Sequence, residues 1–462
     1  MEWSNLLNET RIRVLMGGDP SGKSPGELRT EFERDYGRTV FSTPVRRLQD
    51  KAQVFPLVTD DFVRTRLTHS IEVSSVARGL AGAWVGRWLV KQGAITEVSR
   101  ADLETVAATA ALLHDLGNPP FGHAGEDAIS EWCRAKLRAS SIPLESQLAR
   151  DFLGWNGNAQ TIRLVGKLQV LADKFGLNLT CATLSATCKY VASSDQVEKN
   201  VQDRSKVGYF FSERDLIKEV RKATGTGQAR HPIALLVEAS DDMVYACVDL
   251  EDGVKKRLIT WEQLKKKLMD LTSGCEITKK AIKDAEDKIG DALSGHARDE
   301  GVAQAFRTNA ITAATEGAFE EFKKSYSRIM SGEYQHSLIK QSSTAALIKA
   351  CKTIGSEVVY KCSEVLKTEL TGRRVIEDLL SIFWEAVKPA SPSDESAFAQ
   401  KALLLMSDNY RSVFKDALEG IDWAAPVAPQ LDTYYRLQLI CDYIGGMTDS
   451  FATNLHRKLT NG

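Results

Sequence analysis

The chain has 462 residues, 43% of them hydrophobic and 26% charged, a composition typical of a folded protein rather than a disordered one. Lys and Arg (60) balance Asp and Glu (61), so the overall charge indicates neither nucleic acid nor membrane binding. The eight cysteines form no Cys-x-x-Cys pair, the N-terminus has no secretory pattern, and the longest apolar stretch, residues 79–90, is interrupted by Arg87. We therefore expect a soluble cytoplasmic protein without a membrane partner.

Residues 17–24, with the sequence GGDPSGKS, match the nucleotide-binding pattern G-x-x-x-x-G-K-[ST]. In a working phosphate loop a helix begins directly after the loop, so that its first amides face the phosphates. Here Pro25 and Gly26 follow at once, and no alternation of strands and helices follows to build a parallel sheet. The sequence favours a flexible loop over an ATPase site, and we treat residues 1–30 as an N-terminal segment.

Arginines recur through the polar stretch 31–70, and two interpretations of them stay open. They form either a solvated face or a pocket for a polyanion, because guanidinium groups suit phosphates. Within this stretch a short helix is predicted from residue 46 to Pro56. The arginines concerned are Arg34, Arg38, Arg46, Arg47, Arg64 and Arg66.

Two amphipathic patterns then predict a pair of helices. The first helix begins with Thr68 as its N-cap and continues through residue 85, with apolar side chains at helical spacing. The second covers residues 101–116 and ends at Gly117 and the prolines that follow. About 45 residues separate His69 from His114, which is enough for two packed helices to bring these histidines together.

The rest of the chain is also predicted to be helical, and the fold class is mainly α. Residues 207–211 are expected to form a brief strand or a loop. The further predicted helices cover residues 233–250, a charge-rich stretch at 251–330, and then 339–370, 375–387, 397–417 and 430–455.

The residues that could bind a metal or move a proton are His69, the pair His114-Asp115, and Asp241-Asp242. A single His-Asp pair is more often a polar helix end, but two imidazoles with several carboxylates suit a divalent cation such as Mn, Fe, Co, Ni or Zn, or Mg with more water ligands. The two aspartates lie in an apolar stretch, where buried carboxylates need a partner.

The order His…His-Asp…Asp resembles the HD superfamily of metal-dependent phosphohydrolases, and the flanking motifs resemble its dGTP triphosphohydrolase branch. The resemblance implies a multi-helix HD-domain phosphohydrolase fold with additional C-terminal helices. It implies a catalytic core at 31–255 and a helical extension at 256–462 that returns to the core through 430–455. The motifs are residues 37–42 (GRTVFS), 46–57 (RRLQDKAQVFPL), 64–73 (RTRLTHSIEV), 114–126 (HDLGNPPFGHAGE), 238–252 (EASDDMVYACVDLED) and 441–449 (CDYIGGMTD).

By this resemblance the metal ligands are His69, His114, Asp115 and Asp241, and the cofactor is Mn or Mg, with Zn, Co or Ni as alternatives. Asp241 is preferred to Asp242 because the family pattern D-x-x-x-Y-x-x-x-D then also fits the residues that follow it.

The resemblance also assigns residues to the substrate. Tyr245 is expected to pack on the deoxyribose, and Asp249 with Gln53 to read its 3′-hydroxyl. Arg66 matches a phosphate-contacting arginine, while Lys189 and Lys206 are phosphate contacts or, alternatively, solvated lysines.

His123 is the expected catalytic acid or base, and Glu126, one helical turn later, is expected to orient it. The alternative for this pair is a salt bridge at a helix start.

The implied reaction is hydrolysis of deoxynucleoside triphosphates, dGTP above all, to deoxynucleoside and tripolyphosphate by metal-activated attack of water on the α-phosphate. The alternatives are a broad-specificity dNTP triphosphohydrolase, a hydrolase of nucleoside monophosphates or cyclic nucleotides, and a regulator that binds dNTPs or single-stranded DNA. Ala52 stands where the family has threonine in Lys-Thr-Gln, which puts strict dGTP selectivity in question. The resemblance also implies a homo-oligomer, commonly a hexamer.

Overall fold

The computed structural model describes residues 1–20, 26–55, 64–169, 174–290, 292–388 and 397–460. Within these ranges the chain forms helices and no β-strand, so the prediction of a mainly α fold is confirmed. The β-type pairings there are isolated bridges, such as the one between Ser193 and Tyr209. Of the two alternatives for residues 207–211, the loop is therefore correct.

The helices differ widely in length, and the longer ones build the core. The α-helices are Trp3–Leu6, Ile12–Leu15, Glu31–Val40, Thr43–Arg47, Arg66–Gly79, Arg87–Lys91, Glu97–Leu113, Gly122–Arg138, Gln147–Leu153, Gly157–Gly166, Cys181–Thr187, Arg214–Thr224, Pro232–Lys255, Trp261–Leu271, Glu276–Ile289, Gly295–Lys324, Tyr326–Ser331, Leu338–Gln341, Ala345–Ile354, Ser363–Val387, Ala397–Leu404, Asp408–Glu419, Ala428–Gly445 and Asp449–Thr460. Short 3₁₀ turns occupy Leu48–Asp50, Ser194–Gln196, Gln202–Arg204 and Phe211–Glu213, and π-helical turns occupy Leu80–Gly86 and Gly355–Val359.

Helix Glu97–Leu113 lies at the centre, packed against helices Arg66–Gly79 and Pro232–Lys255. Its buried face carries several alanines, which let neighbouring helices approach closely. Ala111 belongs to the apolar cluster around these three helices, whereas Leu113 belongs to a second cluster formed with the C-terminal helices. The chain therefore leaves this helix, at His114, where the two apolar clusters meet.

The predicted start of the His69 helix at Thr68 is wrong by three residues. Thr65 is the N-cap, and its hydroxyl accepts from the Thr68 amide while the Thr68 hydroxyl accepts from the Thr65 amide. Such a reciprocal box satisfies two amides that a helix start otherwise leaves unpaired. Arg66 is consequently the first residue of the helix, and His69 lies on its next turn.

Several predicted C-terminal helices have the wrong bounds. The region 430–455 is two helices, Ala428–Gly445 and Asp449–Thr460. Two adjacent glycines lower helix propensity at the break, and Thr448 caps the next helix by accepting from the Phe451 amide. Residues 397–417 likewise divide at Ser407, residues 339–370 divide at 342–344 and 360–362, and residues 375–387 join the longer helix Ser363–Val387.

The short helix predicted from residue 46 to Pro56 also ends earlier. Helix Thr43–Arg47 and one 3₁₀ turn precede Lys51, where the backbone becomes extended. Pro56 lies outside the described residues, as do residues 21–24 of the GGDPSGKS motif, so the expectation of a flexible loop there stays a prediction. The division of the chain at residues 30 and 255 is also still a prediction. Among the described helices, none has the length and apolar character needed to cross a membrane.

A buried charge cluster joins the middle of the chain to its C-terminal part. Arg163 donates to both carboxylate oxygens of Asp442, at 2.6–2.8 Å, and to Glu213 at 3.0 Å. All three side chains are at most 5% exposed. Because these carboxylates depend on one guanidinium for their charge balance, helices Gly157–Gly166 and Ala428–Gly445 are held together electrostatically as well as by apolar packing.

Replacing Arg163 with alanine is expected to lower the free energy of unfolding by about 3–5 kcal/mol, because it leaves two buried carboxylates unpaired. Urea unfolding followed by circular dichroism measures this change. Arg373→Ala is the control, since Arg373 is about half exposed and pairs with Glu131 and Glu377 at the surface, where a much smaller loss is expected. Equal losses in the two variants would contradict the interpretation.

Candidate active site

The four predicted metal ligands come together from three separate helices. His69 Nε2 lies 3.3 Å from Asp241 Oδ1, and His114 Nε2 lies 3.6 Å from the same oxygen. Asp115 Oδ1 is 3.5 Å from His114 Nε2. Ligand atoms of His69, His114 and Asp115 lie within 4.8 Å of one another. His69, His114 and Asp115 therefore form a group that could hold one cation, and Asp241 Oδ1 lies beside its two imidazoles.

The orientation of His114 also fits a cation. Its Nδ1 donates to the Ala111 carbonyl oxygen at 2.6 Å, which turns Nε2 towards the carboxylates. Nε2 is buried and has no hydrogen-bond partner among the described residues. A buried imidazole nitrogen with its second nitrogen fixed to a carbonyl is a common arrangement for a metal-binding histidine. The donor set suits divalent transition metals and accommodates Mg.

Each carboxylate of the cluster has a cationic partner of its own. Arg66 Nη1 lies 2.6 Å from Asp115 Oδ2, and Lys189 Nζ lies 2.9 Å from Asp241 Oδ2. The Asn118 amide donates to the other Asp115 oxygen at 2.7 Å. These contacts fix the carboxylates, leaving Asp241 Oδ1 directed at the two imidazoles.

The pKa values of the site follow from burial and these charges. Burial raises the pKa of Asp241, but Lys189 and His114 outweigh it and hold this pKa well below the usual range. Burial lowers the pKa of His114, but Asp115 and Asp241 outweigh it and raise this pKa to about 9. The carboxylates are thus ionised, and His114 carries a proton that a cation would displace.

A tight turn carries the chain from His114 to the next helix. Gly117 lies so close to helix Gly157–Gly166 that a Cβ would come within 2.1 Å of the Gly157 carbonyl oxygen. Phe121 and Gly122 both have left-handed backbone conformations, with φ of 61° and 57°. A Cβ on Gly122 would also lie 2.9 Å from the Arg66 guanidinium. This backbone directs the chain into helix Gly122–Arg138, whose second residue is His123.

His123 and Glu126 form the predicted pair. His123 Nδ1 lies 2.9 Å from Glu126 Oε2, and the side chain of His123 is 79% exposed whereas that of Glu126 is 10% exposed. The other Glu126 oxygen accepts from the Gly157 amide at 2.7 Å. Burial raises the pKa of Glu126, but the His123 hydrogen bond and the Gly157 amide outweigh it and lower this pKa below the ordinary value. Glu126 is therefore an ionised, fixed carboxylate beside an accessible imidazole.

A cavity of about 500 Å³ joins these groups. The predicted substrate residues Gln53, Arg66, Lys189, Lys206 and Tyr245 line it together with His114, Asp115, His123, Glu126 and Asp241.

Asp249, predicted to read the sugar, is not among the residues that line the cavity. Its carboxylate accepts a hydrogen bond from the hydroxyl of Tyr360, which does line the cavity. Burial raises the pKa of Asp249 to about 7. Asp249 therefore supports the cavity wall through Tyr360. The sequence did not predict Tyr360, which lines the cavity in front of Asp249.

Of the six arginines between residues 34 and 66, Arg66 is the one that lines the cavity. Arg64 pairs with Glu72, Glu251 and Asp252, and Arg47 donates to the Gly446 carbonyl. Arg66 is thus the arginine of this set that faces the cavity, and the polyanion-pocket interpretation stays a prediction.

Sequence reasoning missed three further groups in the cavity wall. Tyr360 stacks on Tyr245, with ring centroids 6.2 Å apart and an angle of 14° between the rings. Lys352 Nζ lies 2.6 Å from Asp242 Oδ1, so Asp242 has a partner away from the imidazoles. Asn118 lies within the motif at residues 114–126, but no role was predicted for it. Tyr360 and Lys352 lie in the stretch 255–425, where no spacing pattern pointed to the site.

Comparison with known proteins agrees with this geometry. The HD domain family matches residues 66–179, and the phosphohydrolase-associated domain family matches residues 418–458. A deoxyguanosinetriphosphate triphosphohydrolase-like protein of Listeria monocytogenes is 36% identical, covering 99% of both chains. A deoxyguanosinetriphosphate triphosphohydrolase of an Enterobacter species is 32% identical, again covering 99% of both. A triphosphohydrolase-like protein of Synechocystis is 33% identical over the same share.

The chain belongs to the dGTP triphosphohydrolase family of the HD superfamily. The predicted family and fold are confirmed, and the chain is a hydrolase. The HD match includes His69, His114 and Asp115 but ends before Asp241. The His/Asp cluster and the HD domain together indicate a divalent metal.

Replacing His114 with alanine is expected to weaken binding of Mn²⁺ by at least about tenfold, because an inward-facing nitrogen ligand is lost. Metal-to-protein ratios after equilibrium dialysis, measured by mass spectrometry of the metal, test this. His296→Ala is the control, since His296 pairs with Glu300 on helix Gly295–Lys324, away from the cavity. Wild-type binding by the His114 variant would show that His114 is not a ligand.

Proposed function

We propose that this protein hydrolyses deoxynucleoside triphosphates, with dGTP preferred, to deoxynucleoside and tripolyphosphate. One observation carries the proposal. One cavity is lined by His114, Asp115 and Asp241, by the His123–Glu126 pair and by four cationic side chains, and His69 lies beside Asp241. Relatives of full length are named as dGTP triphosphohydrolases, which supports the choice of substrate.

The proposed metal ligands are His69, His114, Asp115 and Asp241, and Mn or Mg is the proposed cation, with Zn, Co or Ni as alternatives. A bound divalent cation supplies Lewis acidity towards water and the phosphate oxygens. The chain itself supplies the positive side chains that would balance the negative charge of the phosphates. Arg66, Lys189 and Lys206 are proposed to hold the phosphate oxygens, and this positive charge favours a triphosphate over a less charged substrate.

In the proposed reaction the oxygen of water bonds to the α-phosphorus, and the bond from that phosphorus to the 5′-oxygen breaks. His123 is proposed to give a proton to the departing 5′-oxygen. Its exposed imidazole can reach substrate, while the hydrogen bond between Nδ1 and Glu126 fixes the orientation of the ring. Because the broken bond is the one to the nucleoside, the three phosphates leave together.

The proposed sugar pocket contains two parallel tyrosine rings. Tyr245 is proposed to pack on the deoxyribose, where an added 2′-hydroxyl would lack space. The buried Gln53 Oε1, which has no hydrogen-bond partner among the described residues, is an available acceptor for the 3′-hydroxyl. Direct reading of that hydroxyl by Asp249 stays a prediction, since Tyr360 already donates to its carboxylate.

The identity of the products tests the proposed function. The purified protein is incubated with Mn²⁺ or Mg²⁺ and each of the four dNTPs and four NTPs, and phosphate species are separated by ion-exchange chromatography. We expect tripolyphosphate and deoxynucleoside, fastest from dGTP, and little reaction with ribonucleotides. Orthophosphate or pyrophosphate as the primary product would overturn the proposal, because cleavage would then lie further along the phosphate chain.

Replacing His123 with alanine is expected to lower kcat about 100-fold or more without loss of bound metal. Glu126→Gln should lower it less, about tenfold, because the imidazole remains but loses its ionised partner. His456→Ala provides a matched control, since His456 also pairs with a carboxylate, Asp378, at 2.9 Å. Unchanged kcat in the His123 variant would leave this pair as only a salt bridge.

Assembly into a homo-oligomer, a hexamer by resemblance, stays a prediction. Binding of single-stranded DNA and a cytoplasmic location are likewise still predictions.

A further inference from the structure

Residues 47–51, which precede Gln53, form hydrogen bonds with the break between helices Ala428–Gly445 and Asp449–Thr460. Lys51 Nζ donates to the Gly445 carbonyl oxygen at 3.1 Å, and Arg47 donates to the Gly446 carbonyl oxygen at 2.9 Å. The Ser450 hydroxyl donates to the Asp50 carboxylate at 2.7 Å. The carbonyls that the helix end leaves unpaired thus find donors on residues 47–51.

Asp449 lies at the centre of this contact, and its carboxylate accepts hydrogen bonds from two backbone amides that are far apart in the sequence. Oδ2 accepts from the Ala52 amide at 2.9 Å, and Oδ1 accepts from the Phe121 amide at 2.9 Å. Asp449 is only 2% exposed. Its own helix is capped by Thr448, so helix capping does not explain the buried carboxylate.

The two amides are placed next to groups of the cavity. Ala52 directly precedes Gln53, which carries the unpaired buried acceptor. Phe121 lies two residues before His123 and has a left-handed backbone with φ of 61°, which is unfavourable for a phenylalanine. One carboxylate therefore restrains the backbone at the proposed sugar acceptor and at the proposed proton donor.

We propose that Asp449 is a positioning residue that sets the separation between Gln53 and His123 across the cavity. It acts through backbone amides and does not touch substrate. Both groups must face one nucleotide, so a displacement of about 1 Å in either loop is enough to lower the rate about 100-fold. The proposal rests on the proposed function for its kinetic consequence, but the two hydrogen bonds are independent of it.

The test is Asp449→Asn in the full-length protein. Asparagine keeps the size and one acceptor but presents an NH₂ group to one of two N–H donors, so one bond is replaced by a repulsive contact. Hydrogen exchange measured by mass spectrometry should become faster in both segments 48–55 and 117–127. With dGTP, kcat/KM should fall about 10- to 100-fold, with a raised KM as well as a lowered kcat, while bound metal is unchanged.

Asp432→Asn is the matched control. Asp432 is also buried and belongs to the preceding helix, where its carboxylate accepts from Arg436 within that helix. We expect wild-type exchange in both segments and wild-type kcat and KM. Asp449→Ala, compared with Asp449→Asn, shows whether the conservative change retains part of the rate.

The outcomes separate this inference from the proposed function. Faster exchange in neither segment, or in one segment only, overturns the inference, because the carboxylate would not restrain both loops. A lowered melting temperature with wild-type kcat and KM in the folded enzyme also overturns it, since that result describes a purely structural role. Absence of dNTP hydrolysis in the wild type overturns the proposed function, and the exchange measurement still decides whether Asp449 holds the two loops.

Discussion

The pairing of each buried carboxylate with its own cation is the interaction on which the site depends. Removing a carboxylate from water costs several kcal/mol unless it is paired and hydrogen-bonded. Asp115 has Arg66, Asp241 has Lys189, and Asp242, next to it, has Lys352. Because of these pairs, each of the three carboxylates has a cation of the protein chain beside it.

The same pairing links the metal site to the phosphates. Arg66 and Lys189 line the cavity while holding the carboxylates. In the proposed site, a divalent cation held by Asp115 and Asp241 would take up part of the negative charge that Arg66 and Lys189 balance. Their positive charge then becomes available to a polyanionic substrate, so metal and triphosphate are expected to stabilise each other's binding.

The sequence predicted more of the residues that face the cavity than of the residues that hold them in place. Asp241 was preferred to Asp242 because the family pattern D-x-x-x-Y-x-x-x-D fits it, and the structure places Asp241 beside the imidazoles. Tyr360 could not be found in this way, since it meets Tyr245 and Asp249 from a separate turn more than a hundred residues away. The break before Asp449 was also missed. Local propensity weakens a helix at Gly445-Gly446, but Lys51 and Arg47, which donate to the freed carbonyl oxygens, are known only from the fold.

The turn that precedes His123 is held by helices that follow the HD match along the chain. The left-handed Phe121 has a conformation that costs on the order of 1–3 kcal/mol for such a residue. Its amide is bound by Asp449, and its ring lies against Gly372, where a Cβ would come within 2.3 Å of the ring. Both restraints come from outside residues 66–179, so the backbone that presents His123 is held by the C-terminal helices. This dependence gives a physical reason for the C-terminal part of the chain to return to the HD core.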